Sequence, residues 1–593
     1  MRILFSLSLL LLVLFSCKEA EEQTTTADGS EALAQLLEDF KAESYELYPW
    51  NATFEGDSRF NNLLPNFYTM EFRDKELAYY KKYKEAVIAI DDADLDENEL
   101  LSKKILLWEC ERNIEGKDFP GELLPVDQFN SPILMFAQLG SGQSAQPFTN
   151  KKDYTNWLER LDAMLPIVDT AMVNMEKGIA QGIVLPQALT KKVLPQIKSL
   201  VSESAEQSLF YSPIRMLPED MDQAVKDSLT QAYTTMINDK LSPKLEELYN
   251  YLENTYLPAS RESSGYSDIP GGAEQYNRLI KLYTTTDMTA DEIHQLGLNE
   301  VARIRAAMEQ VKAQVGFEGD LKAFFDHVRT NKELMPFTDP QQVIDNFNAI
   351  HDKMKPQIDK LFDMQPKTEF EVRRTEKFRE ASASAQYNPG SLDGTRPGIF
   401  YVPIPDVTSY NIYSDEDLFL HEAIPGHHFQ VSLTQENENL PQFRKTLWYS
   451  AYGEGWALYT ESLGKELGLY DDPYQYFGML SAEMHRAIRL VVDTGIHTKG
   501  WSREKAIQYS LDNEAESEAS ITAEIERYMA IPGQALSYKI GQLKILELRA
   551  KAEQELGDNF DIKSFHNEIL ESGSLPLALL EEKINAWINS LKP

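Results

Sequence analysis

From Glu31 onward, apolar residues recur at three- and four-residue spacing between charged ones, as in EALAQLLEDFKAESYELY, KELAYYKKYKEAVIAI and VARIRAAMEQVKAQV. That period lays them along one stripe of an α-helix, whereas a half-buried strand needs strict alternation. A chain written this way becomes stable by packing helix stripes against one another, so the expected fold is mostly α. At 593 residues it exceeds one ordinary core, and its 27 Phe, 28 Tyr and 7 Trp supply a sizeable interior. Pro- and Gly-bearing breaks near 116–148, 257–272 and 387–405 divide the body into a helical N-terminal half, 31–270, and a C-terminal half, 271–593, that carries the chemistry.

One segment departs from the helical pattern. In DGTRPGIFYVPIPD, Gly and Pro punctuation surrounds the β-rich stretch Gly398 to Ile404, which reads as a strand. An edge position would let it offer backbone partners to an extended peptide, with Tyr401 as a substrate contact. A small structural hairpin accounts for the same residues equally well.

The start of the chain reads as an export signal. Arg2, the apolar run Ile3 to Phe15, Ser16 and Cys17 have the order of a secretory leader, and the run is shorter than the roughly 20 residues a membrane span needs. LFSC at 14–17 resembles a bacterial lipobox, which implies lipidation of Cys17, attachment to the membrane through that lipid and a place in the cell envelope. Residues 1–17 are then the signal and 18–30, polar and acidic, a flexible tether. Only Cys110 remains, so no disulfide is expected. A net charge of −36 repels phosphate backbones and disfavours nucleic acid as a partner.

Several familiar patterns begin and do not finish. Asp92-Ala93-Asp94-Leu95-Asp96 opens like a calcium loop, but Glu97 and Lys103 stand where Gly and Glu are needed, so it reads as an acidic loop capping a helix. Gly140-Ser141-Gly142 completes neither a dinucleotide loop nor a nucleophile elbow. No histidine has Glu three residues before it, which disfavours a di-iron bundle.

Five of the nine histidines fall between 421 and 497. His421 is followed at once by Glu422, the pairing in which one residue binds zinc and the next handles water. The usual second histidine lies four residues on, whereas here it lies six on, at His427, which a regular helix would set roughly 120° away. Pro425 removes an N–H and clashes with the carbonyl of His421, and Gly426 tolerates unusual dihedrals, so the helix is expected to break and bring His427 back beside His421. His428 is the alternative, nearly on the same face but about 10 Å along the axis. Glu454, in EGWALYTE, is the natural third ligand, on a helix antiparallel to the first; Glu461, seven further on, shares its face and either orients a ligand or replaces Glu454. Downstream, Tyr538 or His497 is placed to donate to a developing oxyanion, and Arg527, Arg489 or Lys539 to hold a substrate carboxylate.

HEAIPGHHFQ, EGWALYTE, DTGIH and RYMAIPGQALSYKIG, with DGTRPGIFYV and YPWNATFEGD more loosely, resemble the bacterial lipoprotein family catalogued as domain of unknown function 885. The resemblance implies kinship with thermolysin-like, mostly helical zinc metallopeptidases. It implies one zinc per chain held by His421, His427 and Glu454, with Glu422 as base on a metal-activated water. By analogy the helical body surrounds a deep cleft that admits short or unfolded peptides. Two rivals remain: a lipid-anchored binding protein without catalysis, and a zinc hydrolase of another amide or an ester.

Overall fold

The computed structural model describes residues 29–142, 144–377, 380, 383–391 and 396–592. The signal segment with Cys17, and the tether through residue 28, lie outside the described residues. Helix already begins within the expected tether: α1 (Gly29–Leu47) buries Leu33, Leu37, Phe40 and Leu47 on one stripe. It packs against α2 (Met70–Ile88) and α3 (Glu97–Glu115). The acidic run DADLDE starts α3. Asp96 accepts the N–H of Glu99, whose carboxylate returns to the N–H of Asp96, so two otherwise orphaned donors are satisfied. Next, α4 (Lys151–Gln181) opens with the same device, Asn150 with Asp153, and closes at Gly182, whose φ of 72° suits a residue without a side chain.

α5 (Ala290–Gln314) and α6 (Pro340–Leu361) lead into a three-stranded sheet. β1 (Phe370–Arg374), β2 (Gln386–Asn388) and β3 (Gly398–Val402) lie in the order β1-β3-β2. β3 runs parallel to β1, with Val372 opposite Phe400, and antiparallel to β2, with Tyr387 opposite Phe400. The strand expected at an edge is therefore the central one. All five of its residues are buried, which suits the uninterrupted run IFYV: a strand covered on both faces gains most in the middle of a sheet. Tyr401 is correspondingly buried between Arg373 and Gln386, with the Arg373 guanidinium over its ring, and lies on no free edge.

Beyond the sheet come α7 (Asp415–Glu422), α8 (His427–Glu436), α9 (Ser450–Ser462), α10 (Pro473–Thr498), α11 (Glu518–Ala530) and α12 (Ser537–Leu556). α10 is buried nearly all round, as its apolar sequence requires, and packs along α5 where Gly297 meets Leu490 and Val491. Two apolar interiors result. One joins α1–α3 to residues between Tyr276 and Ile588; the other joins residues between Val126 and Leu334 to those between Phe477 and Ala535. Both cross position 270, so the segments 31–270 and 271–593 share their interiors. No helix among the described residues is long and apolar enough to cross a membrane.

Candidate metal centre

The helix carrying HEAIPGHH stops at Glu422 and restarts at His427. Ala423 (φ −108°, ψ −106°) and Gly426 (φ −75°, ψ −130°) turn the chain between the two pieces. A Cβ at position 426 would sit 2.0 Å from the His421 carbonyl oxygen and 2.2 Å from that of Leu420, so a fold-back this tight requires glycine. Breaking a helix frees carbonyls that must find donors. Thr460 Oγ1 donates to the Leu420 carbonyl at 2.9 Å and Trp456 Nε1 to the Pro425 carbonyl at 2.8 Å. Both donors stand on α9, so the helix that stitches the break is the one that carries Glu454.

The turn brings His421, His427 and Glu454 together. The two imidazole centroids are 4.8 Å apart and nearly perpendicular. Glu454 Oε2 is 3.7 Å from His421 Nε2 and 3.4 Å from His427 Nε2, and one ligand atom from each residue lies within 4.8 Å of the others. Ligands about 2 Å from one tetrahedral ion lie roughly 3.3 Å from each other, so the separations suit a single small cation. Two histidines and a carboxylate, partly reached by solvent at His427 and Glu454, form the donor set of open zinc sites.

The surroundings fix how these groups point. His421 Nδ1 lies 2.7 Å from Glu461 Oε1, which leaves Nε2 turned toward Glu454. Burial disfavours a charge on His421, but the neighbouring carboxylates of Glu454 and Glu461 outweigh it and push its pKa up to about 10. Glu454 is held well below the usual carboxylate range, because the imidazoles of His421 and His427 beside it outweigh its desolvation. Glu422 Oε2 accepts the N–H of Tyr387 on β2 at 2.8 Å. His428 turns away from the cluster: its Nδ1 lies 3.1 Å from the Tyr387 hydroxyl, its ring packs on Phe370, and burial lowers its pKa to about 4.

The remaining expected residues separate into two groups. Tyr538 stands on α12, which touches the Glu454 helix α9 so closely that a Cβ on Gly455 would lie 2.5 Å from Gly541 Cα; one turn earlier Ser450 and Ser537 share a hydrogen bond of 2.7 Å. The phenol is pushed up to about 12 by burial and by Glu454, and has no hydrogen-bond partner among the described residues, so it keeps a proton to donate. His497 is different. Nδ1 accepts the N–H of Tyr266 at 3.1 Å, which obliges Nε2 to donate to the Tyr528 carbonyl, also at 3.1 Å. Neither nitrogen is left for a substrate, so the expectation that His497 stabilises an oxyanion gives way to a bracing role. Asp493 likewise accepts the Tyr276 hydroxyl and the N–H of Gly533, anchoring the PGQALSY turn that leads to Tyr538. Arg527 is occupied by Glu524 and by Gln534, which corrects its expected place as a substrate contact.

Sequence reasoning passed over Tyr387, Trp448 and Arg486. Trp448 is 48% exposed and its ring stands 5.9 Å from that of His427, an apolar face at the mouth of the cluster. A groove of about 1680 Å³ opens elsewhere, lined from α1, α3, the end of α8 and residues 568–590.

A mostly helical chain that closes two histidines and a carboxylate around one point is the class of protein defined here. The sequence matches the family described as bacterial protein of unknown function (DUF885) over residues 49–584, and the chain belongs to that family. Its fold is similar to that of a candidate lipoprotein from Colwellia psychrerythraea, with a TM-score of 0.86 and 28% identity over 95% of this chain and 100% of that one. A candidate lipoprotein of unknown function from Shewanella oneidensis shares the fold at a TM-score of 0.76 and 19% identity, over 93% and 99% of the two chains. No curated protein matches the sequence.

Proposed function

We propose that this chain is a zinc-dependent peptidase held to the cell envelope by a lipid on Cys17. The observation that carries the reading is the convergence of His421, His427 and Glu454 on one point, with Glu422 between the two histidines in sequence. His421 and His427 through Nε2, and Glu454 through its carboxylate, would hold the ion. A zinc ion in such a site acidifies water and polarises a carbonyl.

The protein's own groups supply the rest. Glu422, oriented by the Tyr387 N–H, takes a proton from the attacking water and returns it to the leaving amine. Tyr538 donates its hydroxyl proton as a hydrogen bond to the oxyanion. Tyr387 spends its N–H away from β3, so its carbonyl faces the same side of β2, which carries no strand among the described residues and where an extended peptide can be received. Trp448 offers an apolar face to a substrate side chain.

The motif resemblance, which would imply kinship with thermolysin-like peptidases, favours the same reaction, and the description of the two structural neighbours as candidate lipoproteins supports the anchor. Replacing Glu422 by Gln tests the reading: metal content should stay at that of the wild type while peptide hydrolysis falls by at least about a thousandfold. Unchanged turnover would exclude the role.

A further inference from the structure

The cations around Tyr538 differ in what they still have to offer. Lys539 is fully buried, with Nζ 2.7 Å from Glu483, 3.0 Å from Glu300 and 2.7 Å from Gln542, so its three donors are used. Arg527 is filled by Glu524 and Gln534. Arg489, under the Tyr538 ring at 4.5 Å, commits Nε to the Tyr528 hydroxyl and Nη2 to His485 and Glu524, yet its Nη1 is buried with no partner.

Arg486 stands one turn earlier on α10, on the same face. It is half-buried, its one hydrogen bond runs to the carbonyl of Ala482, and its Nε is buried and unpartnered. Among the described residues no carboxylate lies within ion-pairing distance of it. A guanidinium drawn out of water is costly unless it is paired. In a chain with 94 acidic and 58 basic residues a pairing carboxylate is easily supplied, and here none is.

The position fits a subsite. α10 packs against α7, which carries His421 and Glu422, against α9 with Glu454, and against α12 with Tyr538. Burial raises the pKa of Asp417, one turn before His421, and that of Tyr538, and the charge of Arg486 works against the rise in both. Arg486 thus stands on the helix that packs against both the ligand helix α7 and the helix of Tyr538.

We propose that Arg486, with Nη1 of Arg489 behind it, is a carboxylate-binding subsite through which a peptide substrate is held, by its C-terminal carboxylate or by an acidic side chain near the scissile bond. This rests on the peptidase reading and deepens it. The forked N–H donors of the guanidinium match the two oxygens of a carboxylate, which an amide cannot replace. If the terminus is the group held, the chain trims peptides from that end.

Binding to the zinc-loaded Glu422→Gln protein, measured by calorimetry, tests the subsite without needing turnover. The probes are acetylated Ala-Ala-Phe, its C-terminal amide, and amidated Ala-Ala-Glu. The free acid should bind at least tenfold more tightly than its amide, and a second change, Arg486→Gln, should erase the preference while Arg486→Lys keeps part of it. Preference for the amidated Glu peptide instead would assign the same subsite to a side-chain carboxylate. Equal binding of all three, including none, or an Arg486→Gln loss shared equally by acid and amide, would overturn the proposal. Discrimination without hydrolysis by the unmodified zinc-loaded protein would leave the subsite standing and remove the peptidase reading alone.

Discussion

His421 Nδ1 lies 2.7 Å from Glu461 Oε1, while the other nitrogen of the same ring faces Glu454. One carboxylate on α9 thereby sets the tautomer and direction of His421, and another on the same helix completes the donor set. A carboxylate behind a ligating histidine orients the ring and raises its basicity. Replacing Glu461 by Gln, which keeps an acceptor, should weaken zinc binding about tenfold, and Glu461→Ala nearer a hundredfold. Competition titration against a fluorescent chelator measures both; unchanged affinity in the Ala variant would mean that the contact does not orient the ligand.

Tyr538 has a proton and no hydrogen-bond partner among the described residues. Tyr538→Phe should lower kcat by roughly a hundredfold and change KM little, because the hydrogen bond forms in the transition state. A fall confined to KM, measured on any cleaved peptide, would place Tyr538 in ground-state binding.

The contact between α9 and α12 tolerates no extra atom. A Cβ on Gly541 would lie 1.8 Å from the Ala451 carbonyl. Gly541→Ala should therefore spread the helices, costing about 1–3 kcal/mol of stability, and move Tyr538 away from Glu454. Calorimetry should show a lowered Tm together with lost turnover; a normal Tm and rate would show that the helices are less tightly coupled.

Acid should destabilise the fold through His497. Burial holds its pKa down at about 3, while the unfolded chain takes up the proton near the ordinary 6.5. The unfolded state then binds more protons than the folded one between those values, so stability is present above about pH 6.5 and is lost as pH falls toward 3. At pH 5 the loss from this one residue is about 2 kcal/mol. Denaturant unfolding at pH 7 and pH 5 should show a smaller difference for His497→Gln than for the wild type, and an equal difference would assign the acid sensitivity to other groups.

What could be read from sequence follows how local each signal was. The helical body is written in the three- and four-residue spacing that each segment carries by itself. The broken helix needed only Pro425 and Gly426, which sit between the histidines they rearrange, so the approach of His427 was an expectation of local chemistry. The place of Gly398–Val402 in the sheet depended on β1, nearly thirty residues earlier, and on Gln386-Tyr387-Asn388, too short a run to give a strand signal of its own. His497 looked free because its partners, Tyr266 and Tyr528, are 231 and 31 residues away. Arg527 and Arg486 look alike in sequence, and only the contacts show that every nitrogen of the first has a partner while Nε of the second has none.

Zinc content tests most directly whether His421, His427 and Glu454 together hold one ion. After metal-replete purification and dialysis, elemental analysis should find about one zinc per chain in the wild type and in His428→Ala, whose ring faces Tyr387, and far less in His427→Ala, His421→Ala and Glu454→Ala. A wild type without zinc, or a His427→Ala protein that keeps it while His428→Ala loses it, would contradict the site described here.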